Sequence, residues 1–261
     1  MAHLDKHAPG SFCWIELATP DQKAAQQFYQ PLFGWEVVDF PMGPDQFYTM
    51  FRLEDRDTAG AYGMNAQMLE QHLPPHWMIY VAVTSADEAA AKVAEGGGKV
   101  VVAPFDVQDF GRMAVLQDPT GAVFSVWQAI EKTGIGIAGV PGTLCWADLS
   151  TPDQETAAAF YSMLFGWEVT PGEHDTSGYL HIRNGEQFIG GIPPSAHRNP
   201  NAPPHWMLYF VAQDCDASAA KAKDLGATLY MGPMAMEGVG RMAVVGDPQG
   251  AVFALFQAKA H

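Results

Sequence analysis

The octapeptide Pro74-Pro75-His76-Trp77-Met78-Ile79-Tyr80-Val81 returns as Pro203-Pro204-His205-Trp206-Met207-Leu208-Tyr209-Phe210. It does not return alone. Thr19-Pro20-Asp21-Gln22 recurs at Thr151, Leu32-Phe33-Gly34-Trp35-Glu36-Val37 at Leu164, and Gly111-Arg112-Met113-Ala114-Val115 at Gly240. Asp118-Pro119-x-Gly121-Ala122-Val123-Phe124 recurs at Asp247. Order and spacing are nearly kept, so the chain is two homologous domains, too long per copy and too few for a solenoid. The boundaries predicted are 1–129 and 143–261, joined by a Gly-rich linker over 130–142.

One copy read in order gives short extended pieces and two helices. Phe12 to Ala18 is an apolar strand with an acid inside it. Thr19 fits a helix N-cap with Pro20 at the first helical position, and Gly34 ends that helix. Three short extended pieces follow. Met78 to Val83 then opens the same order again, and Ser85-x-x-Glu88 is a capping box for the second helix. Asp118-Pro119-Thr120-Gly121 has turn residues at the places a type I turn favours, which closes a hairpin. Each domain is therefore a pair of βαβββ modules, an α+β architecture.

Paired modules of this kind resemble the vicinal oxygen chelate superfamily, which includes glyoxalase I, bleomycin-resistance proteins, fosfomycin-resistance enzymes and extradiol dioxygenases. The residues that carry the likeness are Phe28-Tyr29-x-x-Leu32-Phe33-Gly34-Trp35 and Asp118-Pro119-x-Gly121, with their second-copy partners. Within the superfamily the chain looks most like tandem-domain proteins labelled glyoxalase/bleomycin-resistance-like. The resemblance implies that each module pair curls into an open, cup-shaped mixed sheet with the ligand inside.

Family enzymes hold a divalent ion with His and Glu at four strand positions. The matching positions here are Trp14, a residue between Gly60 and Gly63, Met78 and Ser125. The second domain offers Trp146, a residue near Gly190, Met207 and Ala254. None of these supplies the imidazole, carboxylate or thiolate that such a metal needs. The expectation is thus no metal in either cup and no cofactor, which removes the ground for the family's metal-dependent lyase and dioxygenase chemistry.

Strand alternation carries the reading further. With Trp14 turned into the cup, Glu16 follows it, while Cys13, Ile15 and Leu17 turn to the helices. The same parity brings His76, Met78 and Tyr80 inward, and in the second domain Trp146, Asp148, His205, Met207 and Tyr209. Glu16 with His76, and Asp148 with His205, are the candidate acid-base pairs. Trp14, Met78, Tyr80, Ser125, Trp146, Met207 and Tyr209 are the candidate ligand-binding residues. A carboxyl among aromatic groups should hold its proton to higher pH, which suits acid-base work on a planar, weakly acidic molecule.

Two functions follow as expectations. The first is a metal-independent protein that binds a small apolar or aromatic molecule, in the manner of a drug-sequestering protein. The second is a metal-free lyase, isomerase or hydratase that uses the two acid-base pairs. The simpler roles stand beside them: the histidines cap the starts of their strands, and Glu16 pairs with backbone or with an arginine such as Arg112. A net charge of -15 disfavours nucleic acid and anionic membranes as partners. Three cysteines without a C-x-x-C pair, and no apolar leader, point to the cytoplasm as default location. A homodimer stays open.

Overall fold

The computed structural model describes residues 3–44, 46–172 and 176–259. In the first half, β1 (Phe12–Thr19), α1 (Gln22–Phe33), β2 (Glu36–Gly43), β3 (Gln46–Leu53) and β4 (Arg56–Gly63) form one module. A short helix, α2 (Ala66–Glu70), leads to β5 (His76–Ala82), α3 (Ala86–Glu95), β6 (Lys99–Val107), β7 (Gly111–Gln117) and β8 (Val123–Ala129). The second half repeats this with β9 (Leu144–Ser150), α4 (Gln154–Phe165), β10 (Glu168–Pro171), β11 (Leu180–Asn184) and β12 (Gln187–Ile192). It ends with β13 (His205–Val211), α5 (Cys215–Asp224), β14 (Thr228–Met236), β15 (Gly240–Gly246) and β16 (Val252–Ala258).

Each half closes its own 8-stranded sheet, in the order β2-β3-β4-β1-β5-β8-β7-β6 and its repeat β10-β11-β12-β9-β13-β16-β15-β14. The sheets are mixed: β1 runs parallel to β4 and antiparallel to β5, and β5 runs parallel to β8. This is the α+β pair of βαβββ cups that the repeat implies. No helix among the described residues is long and apolar enough to cross a membrane.

Local chemistry explains most element ends. Gly34 and Gly166 close α1 and α4 in the left-handed region, at φ 74° and 72°, where a side chain would be strained. Ser85 accepts from the Glu88 N–H as the capping box requires. The N-cap of α1 differs from the sequence reading. β1 continues through Thr19, which pairs with Gly63, so the cap passes to Asp21, whose carboxylate accepts from the Ala24 N–H at 3.0 Å. Asp153 does the same for α4.

The two halves share one core. Ile15, Leu17, Phe28 and Phe51 of the first half and Leu149, Phe160, Leu208 and Phe253 of the second belong to a single buried cluster. The aromatic ring of Phe210 lies 4.9 Å from Phe33 and 5.5 Å from Trp77, across the boundary. Phe12 repeats this, 5.5 Å from both Trp167 and Trp206. The helices meet in the same layer, α1 against α5 and α3 against α4.

Buried polar groups pair across the boundary as well. Tyr29 donates to Asp247 and Tyr161 to Asp118, each at 3.0 Å. The indole N–H of Trp35 donates to the Gly142 carbonyl, and that of Trp167 to the Gly10 carbonyl. The other oxygen of Asp118 accepts three successive backbone N–H groups, from Thr120 to Ala122, so this residue both forms its hairpin and fastens it to the opposite half. The linker is part of the packing. Ile135 and Ile137 are buried, and the N–H of Ile135 donates to the Cys13 carbonyl.

Candidate active or binding site: two cups with a tyrosine-held acid

The core takes one face of each sheet, so the opposite face is the concave one. On β5 the split is plain: Trp77, Ile79 and Val81 enter the shared core, while Met78, Tyr80 and Ala82 form a separate cluster with Trp14, Met113, Val115 and Trp127. Cys13 belongs to that second cluster too, against the parity expected of it. The cause is a β-bulge between Phe12 and Trp14, which inserts one residue and turns Cys13 to the cup side. The same irregularity recurs at Cys145, where Phe210 faces Leu144 and Tyr209 faces Trp146. Burial pushes the Cys13 and Cys145 thiols up, Cys145 to about 12, so both are unreactive.

Glu16 lies at the centre of the first cup. Tyr48 donates to one carboxylate oxygen and Tyr80 to the other, both at 2.7 Å. Trp14 donates to the Tyr48 hydroxyl at 3.1 Å. Asp148 repeats the arrangement with Tyr179 at 2.6 Å on one oxygen and Tyr209 at 2.8 Å on the other. There the Trp146 indole reaches the acid directly, at 2.9 Å.

The pairing expected of Glu16 with His76, and of Asp148 with His205, is not the one formed. Strand register puts Met78 opposite Glu16 and Met207 opposite Asp148. The histidines fall opposite Ala18 and Ser150, at the strand mouths. There His76 Nδ1 bonds the Pro74 carbonyl at 2.8 Å, and His205 Nδ1 the Pro203 carbonyl at 2.9 Å. Burial lowers the His205 pKa. Arg112 is not a partner of Glu16 either: it forks onto Asp87 and also reaches Asp106, as Arg241 forks onto Asp216.

Tyr48 and Tyr179 were not legible as site residues. Their access to the acids depends on glycine. Gly60 is the register partner of Glu16 on β4, and Gly191 that of Asp148 on β12. A Cβ at Gly60 would stand 1.9 Å from the Tyr48 hydroxyl, and one at Gly191 the same distance from that of Tyr179. The bare glycine backbone is the slot through which each phenol reaches its carboxyl. The signal was present in sequence as a tyrosine followed two strands' worth later by glycine in both copies. The spacing is twelve residues in both copies, and only the register of the strands gives it a meaning.

Burial raises the Glu16 pKa above the usual glutamate value, and the two tyrosine hydroxyls offset only part of that rise. Asp148 is raised likewise by burial, offset in part by Tyr179, Tyr209 and Trp146. A folded state that keeps its proton to higher pH than the unfolded chain loses stability as pH rises through that window. Glu16→Gln removes the titration while leaving an acceptor for tyrosine. The variant should therefore gain on the wild type as pH is raised from about 4 to about 8, read as denaturation midpoints across that range. A constant difference over the range would contradict the raised pKa.

The superfamily's ion does not fit these cups. The positions facing the concave side near each acid are indole, glycine, thioether and hydroxyl: Trp14, Gly60, Met78 and Ser125 in the first. The second has Trp146, Gly191, Met207 and Ala254. No group of three or more His, Cys, Asp or Glu able to hold a metal exists among the described residues. Each cup has one carboxyl, already held by two tyrosines, and the second adds only the His181 imidazole. Ser125 is buried on the cup side beside Tyr80, and its hydroxyl has no partner.

Two cups, each lined by aromatic and thioether side chains around one acid and built from paired βαβββ modules, define a tandem protein of the vicinal oxygen chelate type. The chain belongs to this superfamily. Residues 11–126 match the glyoxalase/bleomycin resistance protein/dioxygenase superfamily, and residues 146–256 match a glyoxalase-like domain. CFP32 of Mycobacterium tuberculosis, a glyoxylase by name, is 37% identical, with 98% of each chain covered. The anthracycline biosynthesis protein DauV of Streptomyces sp. (strain C5) is 32% identical, over 97% of this chain and 95% of its own. In structure, the Mn(II)-bound glyoxalase of Novosphingobium aromaticivorans aligns with a TM-score of 0.65 at 18% identity, covering 98% of this chain and 83% of that one, a likeness of fold alone.

Proposed function

We propose that this protein holds a small apolar or aromatic molecule in its cups without the help of a metal ion, as a sequestering protein of the glyoxalase/bleomycin-resistance kind. The observation that carries the reading is the tyrosine-held carboxyl at the centre of each cup, in a ring of tryptophan and methionine. Aromatic and thioether walls with a few fixed polar groups are what a planar ligand requires. Relatives named for anthracycline biosynthesis agree with it, since anthracyclines are fused-ring aromatics. Free thiols at Cys13, Cys145 and Cys215 support a cytoplasmic location.

A ligand that binds only the folded state raises its stability, by about 2.7 kcal/mol at a hundredfold excess over Kd. Thermal melts against a panel of aromatic compounds should therefore show upward shifts, accompanied by no stoichiometric metal in elemental analysis of native protein. Stoichiometric nickel, zinc or iron would overturn the metal-independent reading.

A second reading, a metal-free lyase, isomerase or hydratase, draws support from the raised pKa of both acids, which suits proton transfer near neutral pH. In it Glu16 or Asp148 exchanges the proton, with His76 and His205 at the mouths of the cups. Chemical change of a bound compound, lost in Glu16→Gln with Asp148→Asn, would favour that reading over sequestration.

A further inference from the structure

The cups also differ beside the tyrosine that holds the acid. In the first, Met50 follows Tyr48 by two residues on the concave side and pairs with Gly60. In the second, His181 follows Tyr179 by two and pairs with Gly191. The imidazole packs edge-on to Tyr179, 4.9 Å between centroids, and to Phe188 at 5.6 Å. Phe188 is 59% exposed. The three rings thus form a row from the acid to the rim. The first cup has Asp57 where the second has Phe188, opposite arginine in both, and there Asp57 is tied to Arg52.

His181 Nδ1 is buried and has no hydrogen-bond partner. A buried polar atom without a partner is costly, and one beside a binding surface is the place where a ligand group recovers that cost. Each oxygen of Asp148 already accepts from a tyrosine, whereas the imidazole nitrogen accepts from nothing. A neutral imidazole that carries its proton on Nε2 offers Nδ1 as acceptor. A phenol-type hydroxyl is the matching donor: it is flat with its ring, it stacks on Tyr179 and Phe188, and it can give a proton to nitrogen.

We propose that His181 makes the second cup selective for aromatic ligands that bear a hydroxyl group beside the tyrosine that holds the acid, a place where the first cup has only the thioether of Met50. The inference rests on the reading of the cups as aromatic-binding sites. The two can fail separately.

The probes are 2-naphthol and its methyl ether, 2-methoxynaphthalene, titrated by calorimetry into full-length wild type, His181→Met and Met50→His, with near-ultraviolet circular dichroism as the check of folding. An ether cannot donate, so in the wild type the preference for naphthol over the ether should be about tenfold stronger at one site than at the other. His181→Met should erase that difference between the two sites. Met50→His should give both sites the preference, and this second variant decides the matter should His181→Met fold poorly. Equal preference in all three proteins would overturn the role of His181 and leave the aromatic cups standing. No binding of either probe to the wild type would overturn both.

Discussion

Phe210→Ala should lower the stability of the whole chain by about 3–5 kcal/mol, the usual cost of emptying a buried phenylalanine site. The ring is fully buried and touches Phe33, Trp35 and Trp77 of the first half as well as Phe253 of its own. Removing it leaves a void between the halves, where neither sheet can collapse without moving the other. Because the halves share one core, both should unfold in one transition, at a lower denaturant midpoint. Two separated transitions in the variant, with the first half retaining its wild-type midpoint, would show that the halves fold independently.

Gly191→Ala should cost about 2 kcal/mol and weaken ligand binding to the second cup tenfold or more, because overpacking and a lost buried hydrogen bond each carry penalties of that order. The new methyl group would stand 1.9 Å from the Tyr179 hydroxyl and 2.1 Å from the ring carbon that bears it. The phenol has to leave, Asp148 loses a donor, and His181 loses the ring it packs against. Removing the phenol first removes the clash. In a Tyr179→Ala background the further change Gly191→Ala should therefore cost little, a strong departure from additivity. Additive costs in denaturation and calorimetry would sink this account of the glycine.

The difference between what was legible and what was not follows the range of the interactions. Ser85 capped its helix as read, because a cap is settled within four residues. Glu16, Asp148, Tyr80 and Tyr209 were placed on the cup side by alternation counted from the family's strand positions. Thr19 misled, because its pairing with Gly63 on a distant strand extended β1 past the expected cap. His76 and His205 misled through register: parity gives the face of a strand, not the neighbour across it. Cys13 misled because a bulge breaks parity without leaving a mark in composition.

By itself the sequence determined the duplication, the four βαβββ modules and which residues share a face of their strand. These rest on repeats, on period-two alternation and on residue chemistry, all of which are local. Only the tertiary structure decided that the two halves are one body, joined through Phe12, Phe210 and the paired Tyr29–Asp247 and Tyr161–Asp118 bonds. It alone brought Tyr48 and Tyr179 to the acids through Gly60 and Gly191, and left His181 with a free nitrogen in one cup only. The reason is physical: a hydrogen bond of 2.7 Å between residues more than thirty apart depends on how several strands register together, and no stretch of chain contains that sum.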